Sequence, residues 1–442
     1  MKPLYCFSIA VLAFAPSLCP GQQVALVEPL STSSVTPAVV QPASKPAAST
    51  IPAWETKFDR WVDLNTLNYA NRYRSTFDAD GARSFDQGQQ RILADGKFKF
   101  DEAGKYGIGF HVSSGRYFNW AYADYIGGGQ SQMLANTEAK MSPLQLYYMN
   151  YVSPLPSGFL NSGGGQVYLR QLFLTAEPIR GITAEFGGFG INHGVNSEAT
   201  SYDDDGYMSG ERLTIRRPKQ VWLSEVSYTR GYLGDLYIPN FFARGSRLSG
   251  SNYQQILARK DFGKRLAFSA DYTTTKPEAE AGTVKTTREG IFANVHESKV
   301  FDSARFEAYQ RLNKGVYAVG YGTVATGNGY AVTVTRSFKK HLSVDAGMAD
   351  IDVNYIVYIG SSVQDLVLGL TVNGDQYGIG KRYFVRPTIP LTKYMSLTGY
   401  FNHKFGSNAA ELANGTDIWN AQALTAGMVF DAKKLFFHTR TE

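Results

Sequence analysis

Cysteine is almost absent from this chain of 442 residues, because Cys6 and Cys19 are its two thiols. Both lie close to the start, within a stretch that has the features of a leader. We therefore expect the rest of the chain to contain no disulfide, no thiol nucleophile and no cysteine-based zinc site.

Long apolar runs are missing as well. Leu4–Phe14 is apolar, but it is too short for a membrane-spanning helix, which takes about 20 residues. This stretch follows the positively charged Lys2 and matches the apolar part of a secretory signal, which is about 7–15 residues long. Leu18 is a poor residue immediately before a lipidated Cys19, so we expect ordinary cleavage and a signal peptide over residues 1–21.

The chain lacks the common catalytic and nucleic-acid-binding motifs. His111, His193, His296, His341 and His403 are scattered, and none lies in an HExxH or GxSxG context. The net charge of +6 is spread along the chain without a recognition module, so we expect no nucleic-acid partner. We expect no cofactor and no enzyme activity, although residues of a Ser-His-Asn site can also meet in space without any sequence motif.

Two segments precede the main pattern of the sequence. Residues 22–53 are rich in Ala, Pro, Ser, Thr and Val and contain no aromatic residue, which predicts a linker, either a plain spacer or an envelope-spanning tether. Within residues 54–64, Trp54, Phe58 and Trp61 recur at helical spacing, which predicts a short amphipathic helix. An irregular lead-in to the first strand is the alternative, because so short a helix needs tertiary support.

From residue 65 to residue 437, apolar residues recur at every second position, which is the period of a β-strand. In one run, Tyr106, Ile108 and Phe110 alternate with small or polar residues. Runs of about 9–11 residues cross a bilayer as tilted strands, and counting them predicts about sixteen strands, within a range of about 14–18. Since only a closed sheet pairs every backbone group in a membrane, we expect an all-β, antiparallel, up-and-down transmembrane barrel, followed by a tail at residues 438–442.

The connections between these runs are of two kinds. Short ones carry a basic residue: Lys105, Arg180, Lys264, Lys340 or Lys393. Long ones cover Asp78–Gln87, Arg116–Gly164, Asn192–Arg217, Thr275–Arg288, Asn354–Thr371 and Gly406–Trp419. Short turns at one end and long loops at the other are typical of outer-membrane barrels of Gram-negative bacteria, which predicts that location and its lipid as a partner. The strand count leaves open whether the Lys340 turn lies at the same end as the other short turns.

The longest connection, Arg116–Gly164, contains many aromatic side chains, among them Tyr117 and Trp120. A polar surface loop rarely needs so many, so we expect them to be buried. We expect this loop to fold into the pore as a constriction, with coverage of the barrel rim as the alternative.

The acidic connection Asn192–Arg217 is a second candidate constriction, because ion pairs between its acids and its arginines would hold it across the pore mouth. Its candidate residues are Asp203, Asp204, Asp205, Arg212 and Arg216. Asp203 and Asp205 are also a weak candidate for a metal site, although their spacing matches no EF-hand loop.

If the apolar strand faces meet lipid, the opposite faces place charged residues inside the barrel. An arginine or lysine that faces lipid near the midplane costs about 2–4 kcal/mol. The predicted pore-lining residues are Arg72, Arg74, Arg91, Asp95, Lys97, Lys99, Arg305, Glu307, Arg311, Arg382, Arg386 and Lys404. Bases outnumber acids in this set, which predicts a weak preference for anions.

The alternating strands and the asymmetry of the connections resemble those of bacterial outer-membrane porins. The resemblance implies a channel for passive diffusion of small hydrophilic solutes, assembled as a homotrimer. The stretch from Leu169 to Leu213 is also similar to alginate-export barrels: Arg170, Gly187 and Arg212 match that family, while Gly188 stands where it has an arginine. A polysaccharide or oligosaccharide channel is therefore the first alternative, and a lipase-like barrel enzyme is the second.

Overall fold

The computed structural model describes residues 58–77, 83–114, 121–126, 167–197, 208–217, 222–233, 241–244, 250–276, 280–295, 300–317, 323–324, 326–338, 341–351, 380–406 and 422–437. Most of these residues lie in one antiparallel sheet. The predicted signal peptide at residues 1–21, the linker at residues 22–53 and the tail at residues 438–442 lie outside the described ranges.

The sheet closes into a barrel of sixteen wall strands in the described part of the chain. The first, β1 (Val62–Phe77), pairs on one edge with β2 (Arg83–Lys99) and on the other edge with the last, β20 (Gln422–Asp431). β3 (Tyr106–Ser114) and β4 (Ala121–Ile126) both pair with β2 and are two parts of one wall strand. The predicted closed barrel of about sixteen antiparallel strands is therefore confirmed.

The other wall strands follow in chain order, each paired with the next. They are β5 (Val167–Ile179), β6 (Ile182–Phe189), β7 (Met208–Ile215), β8 (Glu225–Leu233), β9 (Tyr253–Phe262), β10 (Leu266–Thr275), β12 (Val284–Asn294), β13 (Ser303–Arg311), β16 (Asn328–Phe338), β17 (Leu342–Ile351), β18 (Gly380–Thr392) and β19 (Met395–Gly406). Three short strands, β11 (Glu280–Ala281), β14 (Gly315–Tyr317) and β15 (Thr323–Val324), form a separate small sheet.

Exposure alternates along the wall strands as the sequence predicts. In β10, Phe268 and Tyr272 are exposed on the outer face, whereas Ser269, Asp271 and Thr273 are buried on the inner face. Large exposed side chains of the outer face include Ile92, Phe98, Leu174, Phe186, Leu213, Tyr228, Ile256, Ile291, Phe306, Val385 and Phe405. An apolar exterior around a polar interior is the arrangement in which β-strands cross a lipid bilayer.

The predicted basic turns all lie at one end of the barrel. Since neighbouring wall strands are antiparallel, the turns after β2, β5, β9, β16 and β18 share the end that we call the short-turn end. The connection that contains Lys340 joins β16 to β17 and so belongs to this end, which settles the position that the sequence left open. Gly181 is required between β5 and β6, because its φ is +79° and an added Cβ would lie 2.5 Å from the carbonyl oxygen of Arg216.

Both termini of the barrel wall differ from the predicted boundaries. Helix α1 covers residues 58–61, and β1 already begins at Val62, within the range predicted as helix. At the other terminus, β20 ends at Asp431, and its carboxylate caps helix α3 (Ala432–Phe436) by accepting from Lys434 N at 3.0 Å. Phe437 then contacts Phe58, with ring centroids 5.2 Å apart. The wall therefore runs from residue 62 to residue 431, and not from residue 65 to residue 437.

The remaining described helix, α2 (Phe241–Arg244), lies between β8 and β9. None of the helices in the described ranges has the length and apolar character that a membrane-spanning helix needs.

The outer face of β18 provides a test of the lipid-facing surface. Val385 lies near the middle of this strand and is 37% exposed on the outer face. We expect Val385→Arg to lower the free energy of unfolding by about 2–4 kcal/mol, the range for arginine against lipid near the midplane. Urea unfolding in phospholipid vesicles measures the change, with Val385→Leu as the control. Equal stability of the two variants would show that this face does not meet lipid.

Candidate functional site

The inner face of the barrel carries most of the charge that the sequence predicts for the pore wall. Arg72, Arg91, Arg305, Glu307, Arg311, Arg382, Arg386 and Lys404 lie on this face with little or no exposed surface. Asp95, Lys97 and Lys99 lie on the same face of β2 and are partly buried. Arg74 lies in β1, two residues after Arg72. The inner wall is thus polar and charged.

The short stretch of residues 190–197, which we call the lumen segment, follows β6 and lies inside the barrel. Its residues Ile191, Val195, Asn196 and Ser197 are buried. The segment contacts the inner faces of β8, β9, β10 and β13 through hydrogen bonds and that of β12 through packing, as described below. It therefore crosses a large part of the inner wall from its start at β6.

One side chain anchors the first half of the lumen segment. Asn192 donates from Nδ2 to Glu225 Oε1 at 2.9 Å and to Ser227 Oγ at 3.1 Å on β8. In return, Gln255 of β9 donates from Nε2 to the carbonyl oxygen of Asn192 at 2.9 Å. These bonds satisfy both the side chain and the backbone of Asn192 against the wall.

The second half is anchored further around the barrel. Val195 N donates to Ser269 Oγ of β10 at 2.9 Å, and Ser197 Oγ donates to Glu307 Oε1 of β13 at 2.5 Å. Between these bonds, Asn196 lies against Gly290 of β12, where an added Cβ would approach Asn196 Oδ1 to 1.9 Å. Gly290 therefore makes room for the lumen segment.

Arg212 lies at the base of the lumen segment. Its guanidinium forms an ion pair with Glu185 on the neighbouring strand, donates to the carbonyl oxygen of Gly190 at 2.8 Å, and lies 4.6 Å from the centroid of the Phe189 ring. Arg212 therefore belongs to wall strand β7, and not to the predicted loop across the pore mouth. It connects β6, β7 and the point where the lumen segment leaves the wall.

Arg216 differs from the prediction. It follows the end of β7 at the short-turn end, is about half exposed, and donates from Nε to Glu225 Oε2 at 2.7 Å. It therefore reaches the lumen segment through Glu225, which also accepts from Asn192, and not as part of a loop across the mouth. Part of the predicted constriction Arg116–Gly164 is wrong, because residues 121–126 pair with β2 as wall strand β4. Tyr117, Trp120, Asp203, Asp204 and Asp205 lie outside the described residues, so their predicted roles and the weak metal site stay untested predictions.

Arg288 is central to the inner wall, although the sequence does not predict it there. Its guanidinium contacts Asp271 Oδ2 at 3.0 Å, with the two side chains 1% and 2% exposed, and donates to Thr273 Oγ1 at 3.1 Å. Gln255 donates to the same carboxylate at 3.0 Å, so this network joins the wall to the residue that holds Asn192. The sequence predicts Arg288 at the end of the long connection Thr275–Arg288, whereas Thr286, Arg288 and Gly290 alternate as inner-face residues of β12.

Arg170 of β5, a strand with apolar residues on both faces, is fully buried. The register of β3 against β5 shifts between His111 and Val112, which lets Arg170 and Gln171 both be buried although they are neighbours in sequence. Arg170 donates from Nη2 to the carbonyl oxygen of Ser114 at 3.2 Å.

The inner face carries an excess of positive charge. Several of its acids are held by partners, among them Glu185 by Arg212, Asp271 by Arg288, Asp345 by Arg386 and Glu307 by Ser197. The bases of the inner face still outnumber the acids. This charge acts on His193 of the lumen segment. Burial lowers the pKa of His193 most, and the positive charges of Arg288, Arg212 and Arg305 lower it further, to about 3. The imidazole of His193 is therefore neutral at pH 7.

Gly290 tests how the lumen segment is held. We expect Gly290→Val to push Asn196 and Val195 off β12, because a side chain here overlaps both residues. Hydrogen exchange should then accelerate at the amide of Val195, which donates to Ser269. Gly406→Val is the matched control, because its Cβ would come no closer than 3.6 Å to a neighbouring side chain. Unchanged protection of Val195 in Gly290→Val would contradict the packing of the segment on the wall.

Arg288 gives a test of the buried ion pair. We expect Arg288→Met to lower the free energy of unfolding by about 3–5 kcal/mol, because Asp271 would keep a buried charge without its partner. Arg60→Met, which removes an exposed ion pair with Glu102, should change it by about 0–1 kcal/mol. Chemical unfolding measures both values, and an equally small change in both variants would mean that Asp271 does not depend on Arg288.

The comparisons with known proteins give similarity at the level of structure. No family model matches the chain, and no curated protein matches it. Among solved structures, it is similar to OmpF of Salmonella typhi in a complex with daunomycin, at 13% identity and a TM-score of 0.48, over 84% of this chain and 98% of that one. It is also similar to a mutant of the Rh. blastica porin, at 11% identity and a TM-score of 0.42, over 84% of this chain and 99% of that one.

Proposed function

We propose that this protein is a porin, a channel for passive diffusion of small hydrophilic solutes across an outer membrane, with a weak preference for anions. The observation that carries the proposal is the division of the closed barrel into an apolar outer face and a charged inner face that is crossed by the lumen segment. A barrel of sixteen strands encloses a lumen of the size that suits an aqueous channel.

The lumen segment supports a narrow passage. It is held to the inner faces of β8, β10 and β13 by Asn192, Val195 and Ser197. On this side of the barrel it therefore reduces the open cross-section of the lumen. A narrow, polar passage selects small hydrophilic solutes by size and disfavours a polymer. For this reason the small-solute channel is preferred over a polysaccharide or oligosaccharide channel.

The excess of inner-face bases supports the anion preference. Arg382 and Lys404 occupy paired positions of β18 and β19, and both are buried on the inner face. Arg72 of β1 and Arg91 of β2 lie on the other side of the closing pair β20–β1 and are buried as well. Fixed positive charge along a pore raises the local concentration of anions and lowers that of cations.

The asymmetry of the two ends supports an orientation. Outer-membrane barrels have short turns on the periplasmic side and longer loops outside. The turns after β2, β5, β9, β16 and β18 are therefore assigned to the periplasmic side in this proposal. The homotrimer that the resemblance to porins implies stays a prediction, and chemical cross-linking in native outer membranes tests it.

Ion selectivity tests the proposed function. In a planar bilayer with a KCl gradient, the refolded chain without residues 1–21 should give stepwise conductance and a reversal potential that favours chloride. Arg382→Gln combined with Lys404→Gln should lower the ratio of chloride to potassium permeability roughly two- to fivefold, since two unit charges about 8 Å from an ion in water contribute about 1 kcal/mol before screening.

The matched control is Lys105→Gln, which removes an exposed base from the turn between β2 and β3. It should leave the permeability ratio unchanged. A chain that inserts and folds but carries no current would refute the proposed channel function, whereas a current that favours potassium would refute only the anion preference.

A further inference from the structure

One lysine on the outer face of the barrel lies between two exposed aromatic rings. Lys260 of β9 places its ammonium 4.7 Å from the ring centroid of Trp222 and 5.8 Å from that of Phe262, and Nζ donates to the carbonyl oxygen of Trp222. Trp222 is 71% exposed and Phe262 is 49% exposed. We call Trp222, Lys260 and Phe262 the rim cluster.

The rim cluster faces the lipid side of the wall. In β9, Ile256 and Phe262 are exposed on the outer face. Lys260 is an even number of residues from both, so its side chain lies on the same face. Phe262 makes an edge contact with Phe268, another outer-face residue of β10, at 5.7 Å between centroids. The cluster also lies at the short-turn end, because Phe262 ends β9 immediately before the turn that contains Lys264. This is the level at which lipid headgroups meet a barrel, and where tryptophan is enriched in membrane proteins.

Two other cation–aromatic pairs at the same end are neutralised within the protein. Arg60 lies over Trp61 and forms an ion pair with Glu102, and Arg336 lies over Phe338 and contacts Asp302 at 3.2 Å. Lys260 differs from both, since no carboxylate of the described residues lies within ion-pair distance of it. The nearest acid in sequence, Asp261, pairs with Arg259 at 2.9 Å.

We propose that the rim cluster binds the phosphate of an anionic phospholipid from the membrane leaflet at the short-turn end. A lysine ammonium has three donors, and the carbonyl oxygen of Trp222 takes one of them. The other donors can reach a phosphate oxygen, and the exposed bases Lys264 and Arg265 in the adjoining turn add positive charge. Trp222 and Phe262 contact the glycerol and upper acyl region, which is the usual position of aromatic rings at the interface.

This inference rests on the membrane placement proposed above, but it does not require that the barrel conduct ions. A phosphate ester in the headgroup supplies the counter-charge that the protein itself provides to Arg60 and Arg336. The binding also explains how a lysine can face lipid at this level, since its charge is paired at the interface and is not left in hydrocarbon.

Lipid retention in native mass spectrometry tests the proposal. The detergent-solubilised mature chain is titrated with phosphatidylglycerol or with phosphatidylcholine. We expect preferential retention of phosphatidylglycerol, and we expect Lys260→Gln to lower that retention about fivefold, the factor that corresponds to about 1 kcal/mol for one lysine near an anionic surface. Lys285→Gln, which removes an exposed lysine at the long-loop end of β12, should leave retention unchanged.

Quenching by brominated lipid locates the site. Brominated phosphatidylglycerol in vesicles should quench the tryptophan fluorescence of the wild type more than that of Trp222→Phe. When both proteins also carry Lys260→Gln, this difference in quenching should become smaller. Equal retention of the two lipids by the wild type, or equal retention of phosphatidylglycerol by the wild type and Lys260→Gln, would overturn the proposal. Displacement of the lipid by millimolar inorganic phosphate would also overturn it, because the ligand would then be a free anion.

Failure of this site and failure of the channel are distinguishable. Heat-modifiable migration in gel electrophoresis shows that each variant is folded, and planar-bilayer conductance is recorded for the same samples. Selective lipid retention without conductance would refute the channel alone. Conductance without selective retention would refute the rim cluster alone.

Discussion

The pairing of β1 with β20 is the constraint on which the rest of the structure depends. It removes the two free edges of the sheet, so that the wall strands satisfy their backbone groups without water. Closure also gives every wall strand one outer and one inner face. Because side chains alternate between the faces, apolar residues such as Phe268 and Ile291 lie outside, and charged residues such as Asp271 and Arg288 lie inside.

A charged interior creates its own requirement, since a buried carboxylate or guanidinium needs a partner. The inner wall meets it with ion pairs such as Arg288–Asp271 and with the lumen segment, whose Asn192 and Ser197 bind Glu225 and Glu307. The same contacts that stabilise the acids therefore hold the segment that narrows the passage. Structural stability and the proposed selectivity depend on one set of bonds.

Much of the wall could be predicted from the sequence because a period of two is a local signal. The sequence predicts Arg382, Arg386 and Lys404 on the inner face because apolar neighbours mark the opposite face of their strands. Arg288 was missed for the converse reason: Lys285, Thr287 and Glu289 make the outer face of β12 polar, so that the run looks like a loop. Arg170 could not be assigned, because its burial depends on a register shift against β3 that leaves no trace in its own sequence.

By itself the sequence determined the fold class, the end at which most short turns lie, and the side of the wall on which most charges lie, since each follows from neighbours a few residues apart. The tertiary structure decided which described segment enters the lumen, where Arg216 lies, and where the wall begins and ends. The reason is the range of the contacts involved. Val195 and Ser269 are 74 positions apart in sequence, and Ser197 and Glu307 are 110 positions apart, so that only the closed barrel brings them together.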